Sequence, residues 1–157
     1  MMLIVCDKNP VRAAELVPDQ LKFKQVLELC QMLCSIGYSS IYKKIPQGKA
    51  IQEWIKRNHA WVKTYGATLY YWCLGRIKMS EKTMSDVFQI LVSIPESCDL
   101  NDEVQTAIFR YNKNYKGTSY ATDTELPIKE AVEEYEKYME WKNAWRKIHR
   151  NIKWGFI

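Results

Sequence analysis

A chain of 157 residues, 47% apolar and 26% charged with six Trp and ten Tyr, has the material for one packed domain and excludes intrinsic disorder. Its 23 Lys and Arg outnumber 18 Asp and Glu, a net charge of +5 that suits an anionic partner. No run reaches the roughly 20 apolar residues of a membrane helix, and Met1 to Cys6 meets Asp7 and Lys8 too soon for an export signal. Five Cys and two His offer neither an even disulfide framework nor the spacing of a zinc site. The expectation is one cytoplasmic domain over residues 1–157, with reduced and mostly buried thiols, no metal, no cofactor and no membrane partner.

Asn9-Pro10 is an N-cap followed by proline at the first helical position, opening a short helix that Pro18 closes. Asp19 is then expected to cap a helix from Gln20 to Ile36, where Leu21, Val26, Leu27, Cys30, Leu33 and Cys34 recur at helical intervals before Gly37. A loop of about 37–49 follows, with paired serines, Lys43-Lys44, Pro46 and Gly48. Helix resumes near Ala50 with the stripe Ile51, Trp54 and Ile55. A longer run from His59 to Ile77 carries Trp61, Tyr65, Leu69, Trp72 and Cys73, weakened at Gly66.

Ser80 or Ser85 caps a helix through Ile94 that Pro95 ends, and Asn101 or Asp102 caps another from Glu103 to Tyr111. A second polar loop of about 112–126 leads to a last helix, from near Pro127 towards Arg150, with Ala131, Tyr135, Tyr138, Lys142, Trp145 and His149 along one face. The spacing predicts an all-α fold, a compact orthogonal helix bundle, with at most a short strand or extended segment at the amino terminus.

The last helix is acidic from Asp123 to Glu140 and basic afterwards, which complements the helix dipole. Its basic part, Lys142, Arg146, Lys147, Arg150 and Lys153, is interleaved with Trp141, Trp145 and Trp154, as phosphate contact with base stacking requires. The same pattern also describes core tryptophans beside a solvated helix end, and both readings stand. Lys43, Lys44, Lys49, Lys56 and Arg57 form a second basic cluster, offset only by Glu53.

On the second helix Gln20, Lys24, Glu28 and Gln31 fall on one face at one-turn steps, with Asp19 at its start. Lining a cleft, Lys24 and Glu28 supply an amine and a carboxylate for Schiff-base or acid-base chemistry; facing solvent, they are an ordinary polar stripe. Pro46-Gln47-Gly48-Lys49 lacks the glycine spacing and the hydroxyl residue of a phosphate loop, so nucleotide hydrolysis is rejected.

The run Asp7-Lys8-Asn9-Pro10-Val11-Arg12-Ala13-Ala14, then Asp19, Lys24, Glu28 and Gln31-Met32-Leu33, resembles a family of small tailed-phage proteins. Looser matches follow through Trp54, Lys56, Tyr135 to Trp141 and Lys153-Trp154. That family is in turn similar to the phage pyrimidine-dimer glycosylases (endonuclease V type), and Glu15-Leu16, Asp19-Gln20 and Glu28-Leu29 match their amino-terminal pattern.

The resemblance implies that Glu28 is the catalytic carboxylate and that the amino-terminal amine, here on Met1, attacks the sugar of a flipped nucleotide, with Lys24 as the alternative amine. Gln20-Leu21 stands where the family carries Lys-His, and Met2 makes removal of Met1 unfavourable. Two functions are therefore expected. One is a DNA-binding protein with base-excision glycosylase and AP-lyase activity; the other is a non-enzymatic phage anti-defence protein that sequesters a small anionic signalling nucleotide or blocks a host factor. The sequence does not specify an oligomeric state.

Overall fold

Local chemistry sets most of the helix boundaries. In the computed structural model, which describes residues 3–96, 103–110 and 123–146 with side chains as far as 142, Asn9 caps α1 (Pro10–Leu16) by accepting from the Arg12 N–H. Asp7 in turn accepts from the Asn9 N–H, so the Asp-Lys-Asn-Pro run is a turn built to start this helix. Asp19 is the first residue of α2 (Asp19–Ser35) and not its cap: Pro18 holds that position, and the Asp19 carboxylate lies 3.2 Å from the Lys22 ammonium. After α2, Gly37 takes φ +100°, which favours glycine.

Helix α3 (Lys49–Arg57) and α4 (His59–Cys73) are separated by Asn58 alone. Helix α4 ends four residues before Ile77, because Leu74 is extended and Gly75 turns left-handed at φ +79°. Ser80 caps α5 (Glu81–Val92) through the Thr83 N–H, and α6 (Ile128–Arg146) starts directly after Pro127.

The helix expected over 103–111 does not form. Thr106–Phe109 is strand β1, paired antiparallel with β2 (Thr124–Pro127) in the register Thr106↔Pro127 to Phe109↔Thr124. Ala107, Ile108 and Phe109 are all buried, and the pairing with β2 satisfies the backbone that a helix would have satisfied within itself. The fold is therefore mostly helical with a small two-stranded sheet rather than all-α, and the end of the expected 112–126 loop is a strand.

One core joins the elements. Trp54 meets Trp61 edge-on at 5.6 Å and Trp61 stacks on Tyr65 at 4.8 Å, tying α3 to α4. Phe109 meets Tyr135 at 5.3 Å, which seats α6 on β1. Cys6, Cys30, Cys34 and Cys73 are buried and free; Cys98 lies outside the described residues. Among the described residues no helix is long and apolar enough to cross a membrane, and no group of three or more His, Cys, Asp and Glu is placed to hold a metal ion.

Candidate functional site

Residues 3–6 are buried and belong to no helix or strand, and side chains satisfy several of their peptide groups. Gln25 of α2 accepts from the Ile4 N–H at 2.8 Å, and the Tyr65 hydroxyl of α4 donates to the Ile4 carbonyl at 2.6 Å. Tyr135 of α6 shares its single hydroxyl proton between the carbonyls of Leu3 and Ile108. Further along, the Trp61 indole and the Val104 N–H both donate to the Lys8 carbonyl. The segment thus threads between α2, α4 and α6, held by residues from all three. Burial raises the Tyr65 and Tyr135 phenols well above their ordinary values, and at Tyr65 the neighbouring Glu28 carboxylate adds to the rise.

Glu28 stands on α2 about one turn beyond Gln25, and its side chain is 23% exposed. Lys24, 57% exposed, holds its ammonium 3.8 Å from the Glu28 carboxylate. The expected pair is therefore formed, with the carboxylate largely buried and the amine exposed. Gln20 is exposed and Gln31 half-buried, continuing the same line.

Beyond Glu28 the line is covered by the loop. The Gln31 side-chain amide donates to the Lys43 carbonyl, and the Ser35 hydroxyl accepts from the Ile45 N–H at 3.0 Å while donating to the Gln31 carbonyl. These bonds clip the loop to α2 about one and two turns past Glu28, leaving the Lys43 and Lys44 side chains exposed. At the far end of the loop, a β-carbon on Gly48 would overlap the Asp123 carboxylate, which sits at the start of α3 and 3.5 Å from the Arg110 guanidinium. A carboxylate complements the positive end of α3.

The remaining basic residues divide. Lys49 pairs with Glu53 on the exposed surface of α3, Arg57 with Glu125 of β2, and Lys56 is exposed. Lys142 lies over the Tyr138 ring at 5.6 Å, and Trp141 stacks on the same ring and is only half-buried. Arg146 ends α6, its side chain not described; Met1, Lys147, Arg150, Lys153 and Trp154 lie outside the described residues.

Two polar residues of the site were not singled out by the sequence reading, Lys22 and Gln25. Both are buried, and the spacing 22, 25, 29, 33 places them on the apolar face beside Leu29 and Leu33, which is the signal that separates them from the polar line. The Lys22 ammonium donates to the carbonyls of Glu15 and Val17, pairs with Asp19 and lies 5.2 Å from the centre of the Trp72 ring. It closes the α1–α2 turn, and with its protons committed it is not a free amine. No family model matches the chain, and no curated protein or solved structure does either.

Proposed function

We propose that the chain is a helical nucleic-acid-binding protein of the type it resembles, a relative of the phage pyrimidine-dimer glycosylases, in which Glu28 serves base excision and strand cleavage. The supporting observation is the place of Glu28: largely buried on α2, with the exposed Lys24 ammonium 3.8 Å from its carboxylate. In this reading a damaged nucleotide is flipped towards α2, and Lys43 and Lys44 contact its phosphates. The amine of Met1 or of Lys24 attacks C1′ of the sugar, the electron pair of the glycosidic bond leaves with the base, and Glu28 takes up the proton that the amine releases. The C1′–O4′ bond then breaks as the amine nitrogen forms the double bond to C1′, O4′ takes the proton held by Glu28, and the resulting ring-opened imine is the species that permits strand cleavage.

The test is incubation with ultraviolet-irradiated and untreated duplex DNA under borohydride, which reduces such an imine to a stable amine. Trapping that requires irradiation and disappears in Glu28→Gln supports the reading, and the attached peptide separates Met1 from Lys24. Absence of trapping by the folded protein removes the enzyme. Weight then moves to the non-enzymatic reading, in which the same basic loop holds a small anionic nucleotide, and a thermal-shift screen of nucleotides tests it.

A further inference from the structure

The loop between α2 and α3 carries one large apolar side chain outside the core. Ile41 and Tyr42 pack against the core, but Ile45 is 44% exposed and stands in the run Lys43 to Pro46, every residue of which is exposed. A single exposed isoleucine is ordinary on a protein surface. What distinguishes this one is how firmly its backbone is held. The Ser35 hydroxyl of α2 accepts from its N–H at 3.0 Å, and the Gln47 side-chain amide donates to its carbonyl at 3.3 Å. Gln47 is held in turn from α3, where the Gln52 amide donates to its carbonyl at 2.9 Å. Pro46 restricts the residue before it to extended conformations, and branching at Cβ leaves Ile45 few rotamers. Hydrogen bonds from two helices thus fix an apolar side chain that faces solvent.

Its surroundings are positive. No Asp or Glu stands between Glu28 and Glu53, and the Glu53 carboxylate is 3.8 Å from the Lys49 ammonium. Asp123, which approaches Gly48, is engaged by the Arg110 guanidinium. Lys43 and Lys44, by contrast, have no carboxylate partner among the described residues. An apolar tip flanked by two uncompensated cations matches a duplex, which offers phosphates outside and, at an unstacked base step, a gap that one apolar side chain fills. A membrane surface is held through the apolar area of a whole helix face, and a single isoleucine supplies too little.

We infer that Ile45 is a wedge that enters the base stack of duplex DNA while Lys43 and Lys44 hold the flanking phosphates. The inference rests on the nucleic-acid reading above and deepens it. Glu28, Gln31 and Ser35 share one face of α2, and Ser35 is about 10 Å along the helix from Glu28. A nucleotide swung out towards Glu28 and the wedge that fills the space it leaves are therefore met from the same side of the protein. Extrusion costs unstacking energy, and a side chain already fixed in place offsets part of that cost with little ordering of its own.

The probes are two fluorescent duplexes of one sequence, the first intact and the second with a single tetrahydrofuran abasic site, whose gap needs no extrusion. The full chain is expected to bind the gapped duplex more tightly. Ile45→Ala is expected to lose about five- to tenfold affinity for the gapped duplex, and with it the preference, at unchanged salt slope and helical circular dichroism. Ile45→Leu, which keeps the apolar volume, retains the preference. Lys43→Ala with Lys44→Ala weakens binding of both duplexes and leaves their ratio unchanged. A preference that survives Ile45→Ala, or equal binding of both duplexes by the native chain, would overturn the wedge and leave the nucleic-acid reading standing. Binding of neither duplex would overturn both, and Ile45-dependent association with anionic lipid vesicles in place of DNA binding would assign the tip to a membrane surface.

Discussion

The side chains that hold residues 3–6 act on main-chain groups with no strand partner, so each removal strands a buried dipole. Tyr65→Phe deletes the donor to the Ile4 carbonyl and is expected to cost about 1–3 kcal/mol of stability by chemical denaturation, and Gln25→Leu, which orphans the Ile4 N–H, about the same. A loss well below 0.5 kcal/mol in both would mean that water replaces these partners. The buried ionisable groups give a second prediction with a definite sign. Burial, assisted by neighbouring Cys34, raises the Cys30 thiol from 9.0 to about 12, and burial holds the Cys6 thiol and the Tyr65 and Tyr135 phenols above their ordinary values. Below about pH 8 these groups are protonated in both states; above it the unfolded chain sheds its protons first, thiols before phenols. Their contribution to stability is therefore constant up to about pH 8 and falls as pH rises beyond it, which melting curves across that range check against tyrosinate absorbance. Lys22 and Gln25 show why this part of the molecule is hard to read in sequence. A lysine and a glutamine inside an apolar stripe look like interruptions until the main-chain carbonyls and N–H groups they serve are known.

At the scale of elements, the helices were legible where a local device marks them: Asn9-Pro10, Ser80 and the glycine after α2 each act within a few residues. The β hairpin was not. Thr106–Phe109 is too short to display a period, and the strand that completes it begins only at Thr124, so its identity rests on a partner distant in sequence. Pro127 ends β2, where the loss of its N–H is tolerated. Gly66 is a comparable case, a weak point by propensity that tertiary packing requires. A β-carbon there would meet Leu91 Cδ2 at 2.7 Å and Leu29 Cδ2 at 2.9 Å, both in the buried contact of α2, α4 and α5. Alanine improves helix propensity by about 1 kcal/mol, but overpacking of a filled core costs about 1–3 kcal/mol. Gly66→Ala is accordingly expected to lower the melting temperature and Gly66→Val to lower it further. A rise in the alanine variant would show that the two leucines move aside freely.

Across the whole molecule, the arrangement that matters is the clip between α2 and its following loop, because it ties the backbone of Lys43, one of two exposed lysines, to α2 within a turn of Glu28. The sequence indicated the polar line and the lysines separately; only the Gln31 and Ser35 bonds to the loop backbone relate them. If Lys43 and Lys44 contact a nucleic-acid backbone, each releases condensed counterions, and the logarithm of affinity falls with the logarithm of salt by about 0.9 per contact on duplex DNA. Lys43→Ala with Lys44→Ala is then expected to weaken duplex binding and to reduce that slope by about 1.8. Gln31→Ala leaves both lysines in the chain but frees the loop at Lys43, with Ser35 still holding Ile45, so it is expected to weaken binding while changing the slope by much less than the double lysine variant. Titrations of a fluorescent duplex between low and moderate salt separate these outcomes. An unchanged slope in the lysine double variant would place the phosphate contacts elsewhere, on Lys56 of α3 or on the basic end of α6. A slope reduced equally by Gln31→Ala would show that the clip, and not the mere presence of the lysines, determines whether phosphate is reached.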